Sequence, residues 1–231
     1  MKRFIPNIIT SLNLCFGLIS ITFMLSDKSD LVFYLFFLCL ISDYLDGLFA
    51  RRLNVVSDYG KQLDSLADLI SFGALPSIII YLWFDQFTEH NIYKYSSVLI
   101  LLFSAYRLAK FNLQKVNSSD FIGLPTPANA TLYVSLYYSN FLVMDFFDQN
   151  VMLLLIIFSS FLMVSNFTFF SFKFDSQPFL TKALKYIFFI ISILLLIFLG
   201  IDSLYIIILI YILLSLLNYF IKKLILNNIK S

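Results

Sequence analysis

Histidine occurs once in this chain of 231 residues and cysteine twice. His90 lies in a polar loop, so neither His-based catalysis nor a His-rich metal site is available. Cys15 and Cys39 each sit inside an apolar run and read as small buried hydrophobes, not as a disulfide or a thiolate metal site. Only 5 prolines and 6 glycines are present, which leaves no visible flexible linker. Charged residues make up 13% of the chain and the net charge is +2. That balance, with no interleaving of basic and aromatic residues, excludes a nucleic-acid-binding surface.

What is abundant is apolar. The chain is 60% hydrophobic, with 28 phenylalanines and 14 tyrosines, and its mean hydropathy is +0.89. A soluble domain carries about 45–50% apolar residues, so the excess belongs in lipid. A transmembrane helix needs about 20 mostly apolar residues. Eight segments qualify: 8–26, 31–51, 62–84, 93–112, 127–146, 150–171, 180–200 and 202–222. The fold class predicted is an all-α, polytopic transmembrane helix bundle of about eight spans, forming one domain over residues 1–231. The opening MKRF followed by an apolar run resembles a signal peptide, but the run is long and no A-x-A site follows, so a retained first span is expected.

Basic residues set the orientation. Lys2, Arg3, Arg51, Arg52, Lys61, Arg107, Lys110, Lys115, Lys173, Lys182, Lys185, Lys222, Lys223 and Lys230 fall on the side of the N-terminus, and only Lys28 and Lys94 on the other. By the positive-inside rule both termini are cytoplasmic. The opposite side carries Asp27, Asp30, Asp85, Glu89, Asp145, Asp148 and Asp202, which read as solvated loop acids.

Against this background one stretch stands out, SDYLDGLFARRLNVVSDYGKQLDSLADLISFG, which reads D-x2-D-G-x2-A-R-x8-G-x3-D-x3-D from Asp43 to Asp68. A carboxylate at membrane depth costs roughly 2.5–3.5 kcal/mol on insertion scales, so four of them need a compensating cation or a function. Asp43, Asp46, Gly47 and Ala50 have the i, i+3, i+4, i+7 spacing of one helix face; Asp64 and Asp68, i and i+4, share a face of the next helix. A polar connector over Arg52–Tyr59 lets the two helices turn back on each other, so the four carboxylates converge on one cleft. Hard divalent cations such as Mg²⁺ or Mn²⁺ prefer oxygen ligands and relieve the repulsion in such a cluster. A site of this kind suits displacement at phosphorus. Gly47 and Ala50 leave room for a bulky ligand such as a nucleotide, Arg51 is placed to pair with its phosphate or base, and Gly60 stands at the start of the third helix.

The motif resembles the signature of the CDP-alcohol phosphotransferases at every position. The resemblance implies a membrane enzyme with a six-helix core that moves a phosphatidyl or similar group from a CDP-linked donor to an alcohol, releases CMP, requires Mg²⁺ or Mn²⁺ and works as a homodimer. The flanks PNIITSLNLCFGLIS, SLADLISFGALPS, YRLAKFNLQ and FIGLPTPANA are similar to those of the serine-using, integral-membrane branch. That similarity covers residues 5–135 and implies transfer from CDP-diacylglycerol to L-serine, in phospholipid synthesis at the cell (inner) membrane, with membrane lipids around it. It also implies that Asp43, Asp46, Asp64 and Asp68 bind metal. Asp68 would be the general base, and Asp43, Asp46, Gly47, Ala50, Arg51, Gly60 and Asp64 would contact the CDP moiety.

Further candidates come from the residues alone. Thr10 and Asn13, i and i+3 on the first helix, either face the nucleotide cleft or make an interhelical hydrogen bond. Arg107, Lys110 and Gln114 share a face and are placed to bind the donor phosphates or the serine carboxylate; the alternative is snorkelling to the interface. Pro125 and Pro127 mark a helix start whose free amides could hold an anion. Two rival functions remain: a sibling transferase using glycerol 3-phosphate, inositol phosphate or choline, and a cation transporter. The transporter would spread acids through the membrane depth, whereas helices five to eight here carry almost none.

Overall fold

The structure is a computed structural model, and it describes residues 4–26, 28–113, 121–139, 148–170 and 179–230. Among the described residues, eight helical segments occur in the order the hydropathy predicts. They are α1 (Phe4–Leu25), α2 (Val32–Arg52), a continuous helix made of α3 (Asp58–Asp68), a π-helical stretch (Leu69–Ala74) and α4 (Leu75–Phe87), a near-continuous pair α5 (Asn91–Ser96) and α6 (Val98–Leu113), α7 (Thr126–Tyr138), α8 (Gln149–Val164), α9 (Phe179–Leu199) and α10 (Leu204–Lys230). Among the described residues, four stretches are long and apolar enough to cross a membrane: Phe4–Leu25, Ser29–Arg52, Asp58–Phe87 and Thr181–Leu224. The last of these comprises α9 and α10. They fold into an antiparallel hairpin, in which Thr181 Oγ1 donates to Asn218 Oδ1 at 3.0 Å and the rings of Phe188 and Tyr211 lie 5.9 Å apart.

Several boundaries differ from the sequence expectation. The fifth helix ends at Tyr138, because Ser139 leaves helical geometry (ψ 124°); the expected continuation over 140–146 lies outside the described residues. Helix α8 ends at Val164, where Ser165 turns extended. Beyond it Thr168–Phe169 (β2) pair antiparallel with Phe121–Ile122 (β1), the only strand pairing among the described residues. Apolar composition alone does not register these stops. The third helix also starts earlier than residue 62: Ser57 caps it, its hydroxyl accepting from the Gly60 amide at 3.0 Å.

The interior is apolar and aromatic. Phe36 of α2 meets Phe72 edge-on at 6.0 Å, within a cluster that includes Leu75, Ile79, Ala130 and Val134. A second cluster joins Trp83, Phe84, Tyr133, Leu136, Met152 and Ile156. Such edge-to-face pairs suit the ring quadrupole. The π-helical stretch is central, packed by α1, α6 and α7. Gly17 permits the close approach of α1: a Cβ there would stand 3.1 Å from Ser71 Cα, as is usual where small residues let membrane helices touch. The end of the bundle away from the acidic motif is tied by loop hydrogen bonds. Lys94 Nζ reaches Asp85 at 2.6 Å, Gln149 Nε2 donates to the Phe87 carbonyl at 2.6 Å and the Tyr138 hydroxyl donates to the Ser29 carbonyl at 2.7 Å.

Candidate active site

Helix α1 packs against both α2 and α3 at one end of the bundle. Their helical phase decides what meets. Carboxylate oxygens of Asp43, Asp64 and Asp68 all lie within 4.8 Å of one another. Asp68 is buried, and Asp43 and Asp64 are half-buried. No salt bridge to any of the three exists among the described residues, and Asp64 Oδ1 is buried with no hydrogen-bond partner among them. Three hard oxygen donors at that spacing, one with an unused lone pair, fit a divalent cation of the Mg²⁺ or Mn²⁺ type.

Asp46 stands apart from this triad. It is buried, and its Oδ2 accepts a 2.6 Å hydrogen bond from the Thr10 hydroxyl of α1. It lines instead the adjoining cleft of about 300 Å³, together with Thr10, Gly47, Ala50, Arg51, Gly60 and Asp64. That volume lies at the small end of the range for ligand pockets. The absence of side chains at Gly47 and Gly60 shapes the cleft. A Cβ on Gly47 would approach the Arg51 guanidinium at 3.2 Å, and one on Gly60 would meet Ser57 Oγ at 3.1 Å and Asn7 Oδ1 at 3.4 Å. Of the residues the motif singles out for the CDP moiety, all but Asp43 line this cleft; Asp43 belongs to the triad.

Asn13 joins the site from α1. Its amide nitrogen donates to Asp68 Oδ1 at 3.3 Å, while its backbone carbonyl accepts from Ser71 Oγ at 3.1 Å. Thr10 and Asn13 therefore do both things the sequence left open: they bridge helices, and they do so through the acids of the site. Arg107 is 9% exposed. Its Nη1 donates to Thr126 Oγ1 at 2.6 Å, and its charge interacts with Asp68 and Asp43. Lys110 turns away, donating to the Val164 carbonyl and Asn166 Oδ1, both at 3.2 Å. The two share only a void of about 10 Å³ with Phe111, Ile122 and Met163. Gln114 lies outside the described residues. Pro125 does precede a helix, α7.

Sequence reading missed Asn7, Ser57 and Lys61, which line the cleft, and Thr126 and Asn129 of α7. Asn7 belongs to the PNII stretch, where a polar residue beside proline in an apolar opening was a usable signal. Thr126 and Asn129 lie in the FIGLPTPANA flank, which marks the stretch but not which of its residues turn inward.

Two long apolar helices that bring a triad of carboxylates beside an adjoining cleft fit an integral-membrane protein able to hold a divalent cation next to a ligand pocket. Residues 3–217 match the family model described as CDP-alcohol phosphatidyltransferase, and the chain belongs to that family. It is 36% identical over 173 residues to a CDP-diacylglycerol–serine O-phosphatidyltransferase from Helicobacter pylori, covering 73% of this chain and 72% of that one. It is 40% identical over 130 residues to the enzyme of that name from Methanocaldococcus jannaschii (56% and 58%). Over 139 residues it is 34% identical to an archaetidylserine synthase from Methanothermobacter thermautotrophicus (59% of each chain).

Proposed function

We propose that this chain transfers the phosphatidyl group of CDP-diacylglycerol to the hydroxyl of L-serine, giving phosphatidylserine and CMP. The observation that carries the reading is the convergence of Asp43, Asp64 and Asp68 within 4.8 Å beside the cleft lined by Asp46, Gly47, Ala50, Arg51, Gly60 and Asp64. The serine acceptor is supported by the names of the relatives.

In this mechanism the nucleotide lies in the cleft, close to the backbone at Gly47 and Gly60. Arg51 pairs with its phosphate or base. Asp43, Asp64 and Asp68, with Asp46 at their edge, would hold Mg²⁺ or Mn²⁺. The cation, when bound, neutralises pyrophosphate charge and stabilises the leaving phosphate. Asp68 takes the proton of the serine hydroxyl. The serine oxygen then attacks the phosphorus that carries diacylglycerol, a new P–O bond forms, the bond to the CMP oxygen breaks, and CMP leaves with that electron pair. Asn13 steadies the Asp68 carboxylate by its hydrogen bond. Arg107 serves an anionic group beside Asp68; Lys110, directed toward Val164 and Asn166, is placed at most to meet the outer edge of a donor phosphate.

The same reading places residues 1–231 in one domain in the cell (inner) membrane, with both termini cytoplasmic and a homodimer as the working unit. Cysteine labelling at introduced sites near Phe4 and Lys230 reports the sidedness; labelling of either only from outside refutes it. The mass of the detergent-solubilised particle reports the dimer. For the reaction itself, purified protein is given CDP-diacylglycerol and, separately, serine, glycerol 3-phosphate, inositol phosphate and choline, and CMP release is followed. Release with serine alone is expected. Release only with another alcohol overturns the acceptor assignment, and none with any alcohol overturns the activity.

A further inference from the structure

Buried polar atoms almost always find partners, so the exceptions are informative. Among the described residues, two belong to Asn13 and Arg107, which interact with Asp68, and two more to Asn129. Asn13, fully buried (0% exposed), gives its amide nitrogen to Asp68 Oδ1 but leaves its Oδ1 acceptor without a partner. Arg107 gives Nη1 to Thr126 but leaves its Nε donor without one. Asn129, also 0% exposed, leaves both amide atoms unpartnered. It sits one turn beyond Thr126 on α7, on the face whose next member, Tyr133, contacts Ser159 at 2.6 Å. That face therefore looks across to α6 and α8, with Arg107 at its near end. Leaving such groups bare is costly, and an arrangement that does so is pre-formed for something polar.

We infer that Asn13, Arg107 and Asn129 form an acceptor subsite that reads the zwitterion of an α-amino acid whose hydroxyl is presented to Asp68. The unused Asn13 Oδ1 accepts from the ammonium group. The unused Arg107 Nε, with Asn129 Nδ2, donates to the carboxylate. A bare acceptor on a residue bonded to Asp68 and a bare donor on a cation that interacts with the same carboxylate match the two ends of such a molecule, and neither end matches a phosphorylated alcohol, which would need more than one cation. Lys110, already bonded to Val164 and Asn166, takes no part. This inference rests on the acceptor reading above and extends it by assigning the groups that discriminate.

Full-length protein in detergent micelles is assayed for CMP release from CDP-diacylglycerol with serine, with ethanolamine (serine without its carboxylate) and with 3-hydroxypropionate (serine without its ammonium). Wild type is expected to prefer serine over both, since a site built around buried polar groups strongly rejects analogues that leave them bare. Arg107→Gln should raise KM for serine by roughly tenfold to a hundredfold and erase the preference over ethanolamine, while KM for CDP-diacylglycerol is unchanged. Asn13→Leu should erase the preference over 3-hydroxypropionate. Asn129→Leu provides a fold-independent check. It removes unpartnered polar atoms, so thermal stability should hold or rise, yet KM for serine should increase. Variants that raise KM for CDP-diacylglycerol instead, or that weaken serine and its analogues equally, overturn the subsite. Wild type that releases no CMP with serine but does so with another alcohol defeats the function reading itself, which is a separate result.

Discussion

The helix Asp58–Phe87 and the hairpin Thr181–Leu224 are both apolar enough to cross a membrane, yet they live in different surroundings. In the most apolar window of the first, 56% of the residues are buried inside the protein, against 17% in the second. The first carries Asp64, Asp68, Ser71 and Ser77 into the bundle; the second presents residues such as Ile197 (71% exposed) and Phe198 (79% exposed) to its surroundings. Hydropathy treats the two alike. Packing separates them: the helix buried among other helices carries the acids, and the hairpin leaves most of its apolar surface uncovered.

That contrast can be tested from its strong end to its weak one. Chelating divalent cations from the purified protein should abolish CMP release, and adding Mg²⁺ or Mn²⁺ should restore it, because three clustered carboxylates have no salt bridge among the described residues. Activity that persists with chelator would contradict the metal assignment. Asp68→Asn should lower kcat by about 10²–10⁴-fold, the usual worth of a positioned proton acceptor, with the melting temperature of the solubilised protein unchanged. Gly47→Val puts a side chain where only 3.2 Å separates a Cβ from the Arg51 guanidinium. KM for CDP-diacylglycerol should rise by roughly tenfold to a hundredfold, and KM for serine should stay put. In the hairpin, Phe198→Ala removes a ring that faces out of the molecule, so stability should move by no more than about 0.5 kcal/mol and activity not at all. A large loss from Phe198→Ala would show that the hairpin is an interface.

The helices were legible because a lipid solvent demands long apolar runs, and the acids because helical spacing fixes which of them can share a face. What stayed hidden has identifiable causes. Asp46 carries the same spacing as Asp43, but its bond to Thr10 depends on how α1 crosses α2, which no local pattern encodes. Arg107 and Lys110 are one turn apart and look interchangeable in sequence. Only the placement of Thr126 on one side and the end of α8 on the other sends one inward and the other outward. Asn129 sits in the FIGLPTPANA flank, where similarity marks the stretch but helical phase alone does not say that this side chain faces the interior. The stop at Tyr138 falls in a run whose hydropathy continues past it.

One local feature has a mechanical consequence. Directly after Asp68 the helix opens into the wide π turn of Leu69–Ala74, a form common near functional sites and usually explained as one residue more than the ordinary pitch can hold. The helix thus stores a residue of slack between its charged half and its greasy half, and each half keeps its own angular frame. Shortening the chain by one residue inside this turn would let it relax to normal pitch with both halves still aimed as before. The same deletion anywhere else between Asp58 and Phe87 would swing everything beyond it by about 100°, turning either the acids or the aromatic core out of place.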